Sequence, residues 1–152
     1  MPEKQTLERA RKDKRAGKSA STQAGEFVRE EMHHVREGKH GARSSKQAIA
    51  IGLSKARRAG VKLKAPKRGQ ASEETREHAK RDARKGRRSA SKRRPSAKRS
   101  RAVTNALRRE GRSAASHRAL SRQAHRAASK RSSASRSAAA RKAARTRAAH
   151  RR

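Results

Sequence analysis

Residues 21–60 read STQAGEFVREEMHHVREGKHGARSSKQAIAIGLSKARRAG, and the spacing of apolar residues within them decides the fold. Ala24, Phe27, Val28, Met32 and Val35 recur three and four apart, which puts them on one face of a helix. Ser21 or Thr22 is suited to cap that helix, and Gly38 suits a left-handed stop after Glu37. After the turn Gly38-Lys39-His40-Gly41, Ser44 and Gln47 stand at capping-box spacing. A further helix to about Ala59 then carries Ala48, Ile49, Gly52, Leu53 and Ala56 on its apolar side, with Gly60 and Val61 suited to its end. Two amphipathic helices joined by a short turn predict a helical hairpin over residues 20–64.

Little else in the chain can form a core. Leu, Ile, Val and Phe make only twelve of 152 residues, and of fourteen large apolar side chains, Met included, nine lie between Phe27 and Leu63. A hairpin with so little to bury is too small to stand alone. It is expected to form a homodimer through residues 22–60, to pack on the preceding helix, or to order on a ligand. That preceding segment, an arm over residues 1–19, reads as a charged helix with Pro2 in its first turn and Gly17 at its end, and Leu7 is its one large apolar anchor.

Beyond Lys64 the composition turns cationic: the net charge is +12 over residues 1–68 and +23 over 69–152. Ser72-Glu73-Glu74-Thr75 is expected to open a short helix to about Lys85, with Gly86 as its stop. Residues 65–101 therefore read as a basic helix followed by a Ser- and Arg-rich linker from residue 87 that contains Pro95. Val103, Ala106 and Leu107 mark a short amphipathic turn ending at Gly111, and no acidic residue follows Glu110. The fold class expected is all-α: an N-terminal hairpin, further short helices, and a largely disordered Arg/Ala/Ser-rich tail within 102–152. One internal echo stands out, Arg36-Glu37-Gly38-Lys39 against Arg109-Glu110-Gly111-Arg112.

A net charge of +35 names the class of partner before any motif does. A surplus of cations draws polyanions, and each phosphate neutralised on a duplex releases counterions. If residues 113–130 become helical, Arg118, Arg122, Arg126 and Lys130 fall four apart, about 6 Å between successive charges along the axis. Arg141, Lys142, Arg145 and Arg147 supply a second cluster. Lys46, Lys55, Arg57 and Arg58 would face DNA if the hairpin acted as a helix-turn-helix. Phe27 is the sole aromatic residue besides the histidines, so base-stacking platforms are absent and any readout is of backbone charge.

These features predict nonspecific nucleic-acid binding, with duplex DNA ahead of RNA, and no enzymatic activity. The alternatives are an RNA- or ribosome-associated basic protein, and a protein-interaction module at residues 22–60 with a polyanion-binding tail. No cofactor is expected. His33, His34, Glu37 and His40 fall within eight residues, but adjacent histidines point about 100° apart on a helix, so no metal site is expected either. The absence of cysteine, of an apolar leader and of any 20-residue apolar run predicts a cytoplasmic, nucleoid-associated protein with no membrane partner.

The quoted hairpin also resembles a family of small basic bacterial proteins classed as a domain of unknown function, some of which carry a DNA-binding label. REGRSAASHRALSRQAHRAASKR and SRSAAARKAARTRAAHRR in the second half look like the basic extensions of such proteins and, more loosely, like linker-histone tails. This resemblance implies histone-like DNA binding and supplies no catalytic residue. Where linker-histone tails run in Lys, Ala and Pro, this tail runs in Arg and Ser.

Overall fold

The computed structural model describes residues 2–87 and 96–149. Among the described residues the regular elements are helical, apart from one isolated bridge between Arg68 and Ala71. The chain divides into two compact units, Met1–Ser116 and His117–Arg152. The first holds α1 (Lys4–Arg15), α2 (Ala20–Glu37), α3 (Ser45–Arg58), α4 (Glu73–Arg87), α5 (Ala97–Arg108) and a 3-10 turn at Ser113–Ala115. The second holds α6 (His117–Ser129) and α7 (Ser133–Ala149).

The hairpin forms as the apolar spacing predicts, by α2 packing on α3. Ala24, Phe27, Met32 and Val35 of α2 are buried, as are Ala48 and Ala56 of α3. A Cβ on Gly52 would lie 2.7 Å from the Cα of Val28, so the two backbones cross closely and a larger residue would push them apart. Leu7, Leu53, Val61 and Leu63 close around Ala10, Ala24, Phe27 and Ala56. The first three helices end with one device: the amides of Lys18, Lys39 and Val61 donate to the carbonyls of Asp13, His34 and Ala56 at 2.9, 3.0 and 3.1 Å. The cap of α2 is Ser19, whose hydroxyl accepts from the Thr22 amide at 3.3 Å, and not Ser21 or Thr22. The chain has already turned at Gly17, so Ser19 is the residue positioned to meet the first free amides. At α3 the Ser44 hydroxyl accepts from the Gln47 amide as expected, but Gln47 Oε1 accepts from the Arg43 amide instead of closing the box on Ser44.

Of the three ways the hairpin was expected to gain support, packing on the preceding helix is present. α1 holds α2 through small and polar groups more than through Leu7. Thr6 and Ala10 are buried, the Glu3 amide donates to Glu30 Oε2 at 3.1 Å, and Arg9 Nε stands 2.7 Å from Glu26. On the other side α4 packs on α3. Gly86 lies inside α4 and does not stop it: its missing side chain lets the helix approach Arg57, whose carbonyl oxygen would be 2.0 Å from a Cβ there. The linker reading fails at its C-terminal end, because residues 97–101 belong to α5. Pro95, on which that reading leaned, lies outside the described residues.

Residues 107–116, placed by composition with the tail, fold onto the α2–α3 turn. The Gly41 amide donates to the Leu107 carbonyl at 2.8 Å and the Ala42 amide to the Gly111 carbonyl at 3.1 Å. Ser45 Oγ donates to the Ala114 carbonyl at 2.6 Å, and Arg36 Nε to that of Ala115 at 2.9 Å. Ala114 and Ala115 are buried. The two echoing stretches therefore meet as partners: the first turns at Gly38 and the second at Arg109 and Glu110, and the second clasps the first.

Candidate nucleic-acid interface

The second unit is where the cations are concentrated and open. Ala and Arg are strong helix formers, and α6 and α7 form where a largely disordered tail was expected. The expected helix over 113–130 is broken: Ser113–Ala115 is a 3-10 turn, Ser116 is extended with ψ 151°, and α6 begins at His117. Ala115 is drawn away by the clasp, which explains the break.

Arg118, Arg122 and Arg126 stand on successive turns of α6, and Lys130 follows in the turn just beyond its end. At 100° per residue the three arginines and His125 share one face, with Leu120 and Ala127 on the other. Arg141, Lys142, Arg145 and Arg147 all lie on α7, but their spacing distributes them around the helix and forms no stripe. Arg131 and Arg136 belong to the same acid-free run but fall outside the four-residue spacing of Arg118, Arg122, Arg126 and Lys130. All ten of these Arg and Lys residues are exposed, and neither helix has a buried residue. Since no Asp or Glu follows Glu110, the second unit contains no carboxylate side chain to neutralise them.

The hairpin cations behave differently. Lys55 Nζ lies 2.6 Å from Glu31 and 3.3 Å from Glu30, both buried, so its charge is spent inside the fold. Arg57 is buried, and its Nη2 donates to the Lys64 carbonyl at 3.4 Å. Burial pushes its guanidinium pKa down against the opposing pull of Asp82, but a guanidinium stays charged throughout the physiological range. Arg58 is exposed yet engaged, with Nη2 donating to Ser54 Oγ at 3.1 Å and Nε 3.6 Å from Asp82. Lys46 is exposed at the start of α3. The four therefore form no single open face. The buried acids Glu30 and Glu31 that hold Lys55 were legible only as a charged pair, because helix periodicity gives no sign that carboxylates face inward.

Residues 11–69 match DUF6496, a family of unknown function. The matched stretch runs from within α1 through the hairpin and stops before α4. It includes the clasped turn and Lys46, Lys55, Arg57 and Arg58, but none of α5, α6 or α7, so the likeness drawn for the second half to basic extensions and histone tails is not carried by it. No curated protein and no solved structure matches the chain. Among the described residues no helix is long and apolar enough to cross a membrane.

Proposed function

We propose that the chain binds nucleic acid without sequence preference, duplex DNA ahead of RNA, by laying α6 and α7 along the phosphate backbone as a histone-like, nucleoid-associated polycation. One observation carries this reading: ten exposed Arg and Lys residues on 117–149 with no carboxylate side chain in their unit. Fixed cations in that state hold mobile anions, and a polyphosphate replaces these with a gain in counterion entropy. The small Ala and Ser side chains between the cations let each helix lie close to a backbone. With no buried residue on either helix, nothing frames a guanidinium against a particular base edge, which favours contact without readout. Like charges along these helices oppose their order in free solution, and phosphate removes that opposition, so helical content is expected to rise on binding.

The engaged state of Lys55 and Arg57 argues against a reading in which the hairpin itself enters a groove. Removal of residues 117–152 is the test. The shortened chain should lose most of its affinity for duplex DNA while keeping the helical signal of the first unit, and RNA of equal length should compete less well for the full chain. Undiminished affinity in the shortened chain would overturn the assignment, and stronger competition by structured RNA would move the partner from DNA to RNA.

A further inference from the structure

Outside the cationic helices, the chain gathers carboxylates and imidazoles at one place, the end of α2. Glu31 is fully buried, with Oε1 3.1 Å from His40 Nε2 and Oε2 2.6 Å from Lys55 Nζ. Both contacts are within ion-pair distance, yet neither oxygen accepts a hydrogen bond of acceptable geometry among the described residues. A buried carboxylate without hydrogen bonds is costly unless cations are directed at it; Lys55 meets Oε2, and Oε1 is left to the histidine side. His34, one turn along α2 from Glu31, completes a group in which one ligand atom from each of Glu31, His34 and His40 lies within 4.8 Å of the others.

The ring contacts set how each histidine is presented to Glu31 and to an ion. His40 Nδ1 donates to the Gly41 carbonyl at 3.0 Å, and His34 Nε2 donates to Glu3 Oε1 at 2.8 Å. Each imidazole thus turns one nitrogen to a carbonyl or a carboxylate and leaves the other for a second partner. This is the outer arrangement that fixes metal-binding histidines. With Nδ1 turned to the Gly41 carbonyl, His40 directs Nε2 at a carboxylate oxygen 3.1 Å away, a contact made favourable by a proton on Nε2 or by a metal ion shared between the two. Two ligands each about 2.0–2.1 Å from a shared tetrahedral zinc are separated by about 3.3–3.4 Å, and the 3.1 Å between His40 Nε2 and Glu31 Oε1 is slightly shorter than that. The linked ion pairs join Glu3, Glu30, Glu31 and Glu37 to Lys39, Lys55, His34 and His40, so four carboxylates face two ammonium groups and two imidazoles, and a divalent ion would supply the charge that unprotonated imidazoles do not. His34, with Glu3, Glu37 and Lys39, also lines a surface cavity of about 190 Å³.

We propose that Glu31, His34 and His40 form a site for one divalent transition-metal ion of the zinc class, with water completing its coordination. The ion ties the end of α2 to the α2–α3 turn and, through Glu3, to the start of α1. The residue that joins the histidines is Glu31, one turn before His34, and not Glu37, on which the sequence pattern drew attention. His33 is exposed and takes no part.

The test is a titration of the full chain with Co²⁺ and Zn²⁺. One Co²⁺ per chain should bind with visible d–d absorption, be displaced by Zn²⁺, and shift or broaden the ring resonances of His34 and His40 ahead of those of the other five histidines. His40→Ala should weaken Zn²⁺ binding at least tenfold, while His125→Ala leaves it unchanged and circular dichroism reports that each variant is folded. The paramagnetic shifts in the unsubstituted chain decide the matter should His40→Ala unfold. Failure of Co²⁺ to reach His34 and His40 would show that a proton alone joins His40 to Glu31 and overturn the proposal; equal loss of affinity in both variants would overturn it as adsorption to surface histidines.

Discussion

Substituting Gly41 by alanine should open the clasp that seats residues 107–116 on the hairpin. A Cβ at position 41 would sit 1.8 Å from the Glu110 carbonyl oxygen and 2.3 Å from its carbon, and both are backbone atoms that no rotamer change can move aside. Four hydrogen bonds depend on that approach: those from the Gly41 and Ala42 amides, from Ser45 Oγ and from Arg36 Nε. At about 1 kcal/mol net for each, their joint loss amounts to about 4 kcal/mol, or about a thousandfold in the opening equilibrium of this region. Hydrogen exchange followed by NMR reads it directly: the amides of residues 41 and 42 should exchange about a thousandfold faster in Gly41→Ala. Gly25→Ala is the matched control, since nothing lies within 4 Å of a Cβ there and the residue is interior to α2. It should stabilise the chain by up to about 1 kcal/mol through helix propensity. Unchanged protection at position 42 in Gly41→Ala would refute the clasp.

Three other outcomes follow from the same geometry. Replacing Arg118, Arg122 and Arg126 together by Gln should lower the slope of log affinity against log salt for duplex DNA by about 2.7, as measured by fluorescence anisotropy, if each contacts one phosphate. Lys55→Ala should destabilise the first unit by about 3–5 kcal/mol in urea melts, because it leaves the buried Glu30 and Glu31 without their ammonium partner, whereas Lys46→Ala at an exposed site should change little. Acid should also weaken the first unit. Hydrogen bonds from His34, then Lys39, hold the Glu3 carboxyl below its usual range. Burial pushes Glu30 up, but hydrogen bonds from Thr6 and the Glu3 amide, with Lys55, outweigh it and leave Glu30 lowered as well. Lowered folded-state values give stability that is full above the unfolded carboxylate pKa of about 4.3 and is lost as pH falls through the folded values. Thermal midpoints should therefore drop below about pH 4 and hold steady between pH 5 and 6 in respect of these two groups.

How much of this was legible depends on which force shapes each part. The hairpin was, because Phe27, Met32 and Val35 repeat at the helical period and the turn chemistry at Gly38, Ser44 and Gly60 is local. The packing of α1 was less so. Its contacts run through Thr6, Arg9 and the Glu3 amide, polar groups that no apolar count detects, and their partners stand more than fifteen residues away in sequence. The clasp was hidden for a related reason: backbone carbonyls at Leu107, Gly111, Ala114 and Ala115 make it, and backbone leaves no compositional trace. Gly86 misled because glycine serves both as a helix stop and as a point of close approach. Among the cations, sequence could count charges but could not tell Lys55, consumed by buried acids, from Arg118, which is exposed.

The proposed DNA binding requires phosphate contact by the second unit. Fluorescence anisotropy of the full chain on two duplexes of unrelated sequence, across a salt series, measures it. The two should give coincident lines of steep negative slope. Weak binding whose affinity is unaltered by salt, or clear preference for one duplex at every salt concentration, would contradict the account.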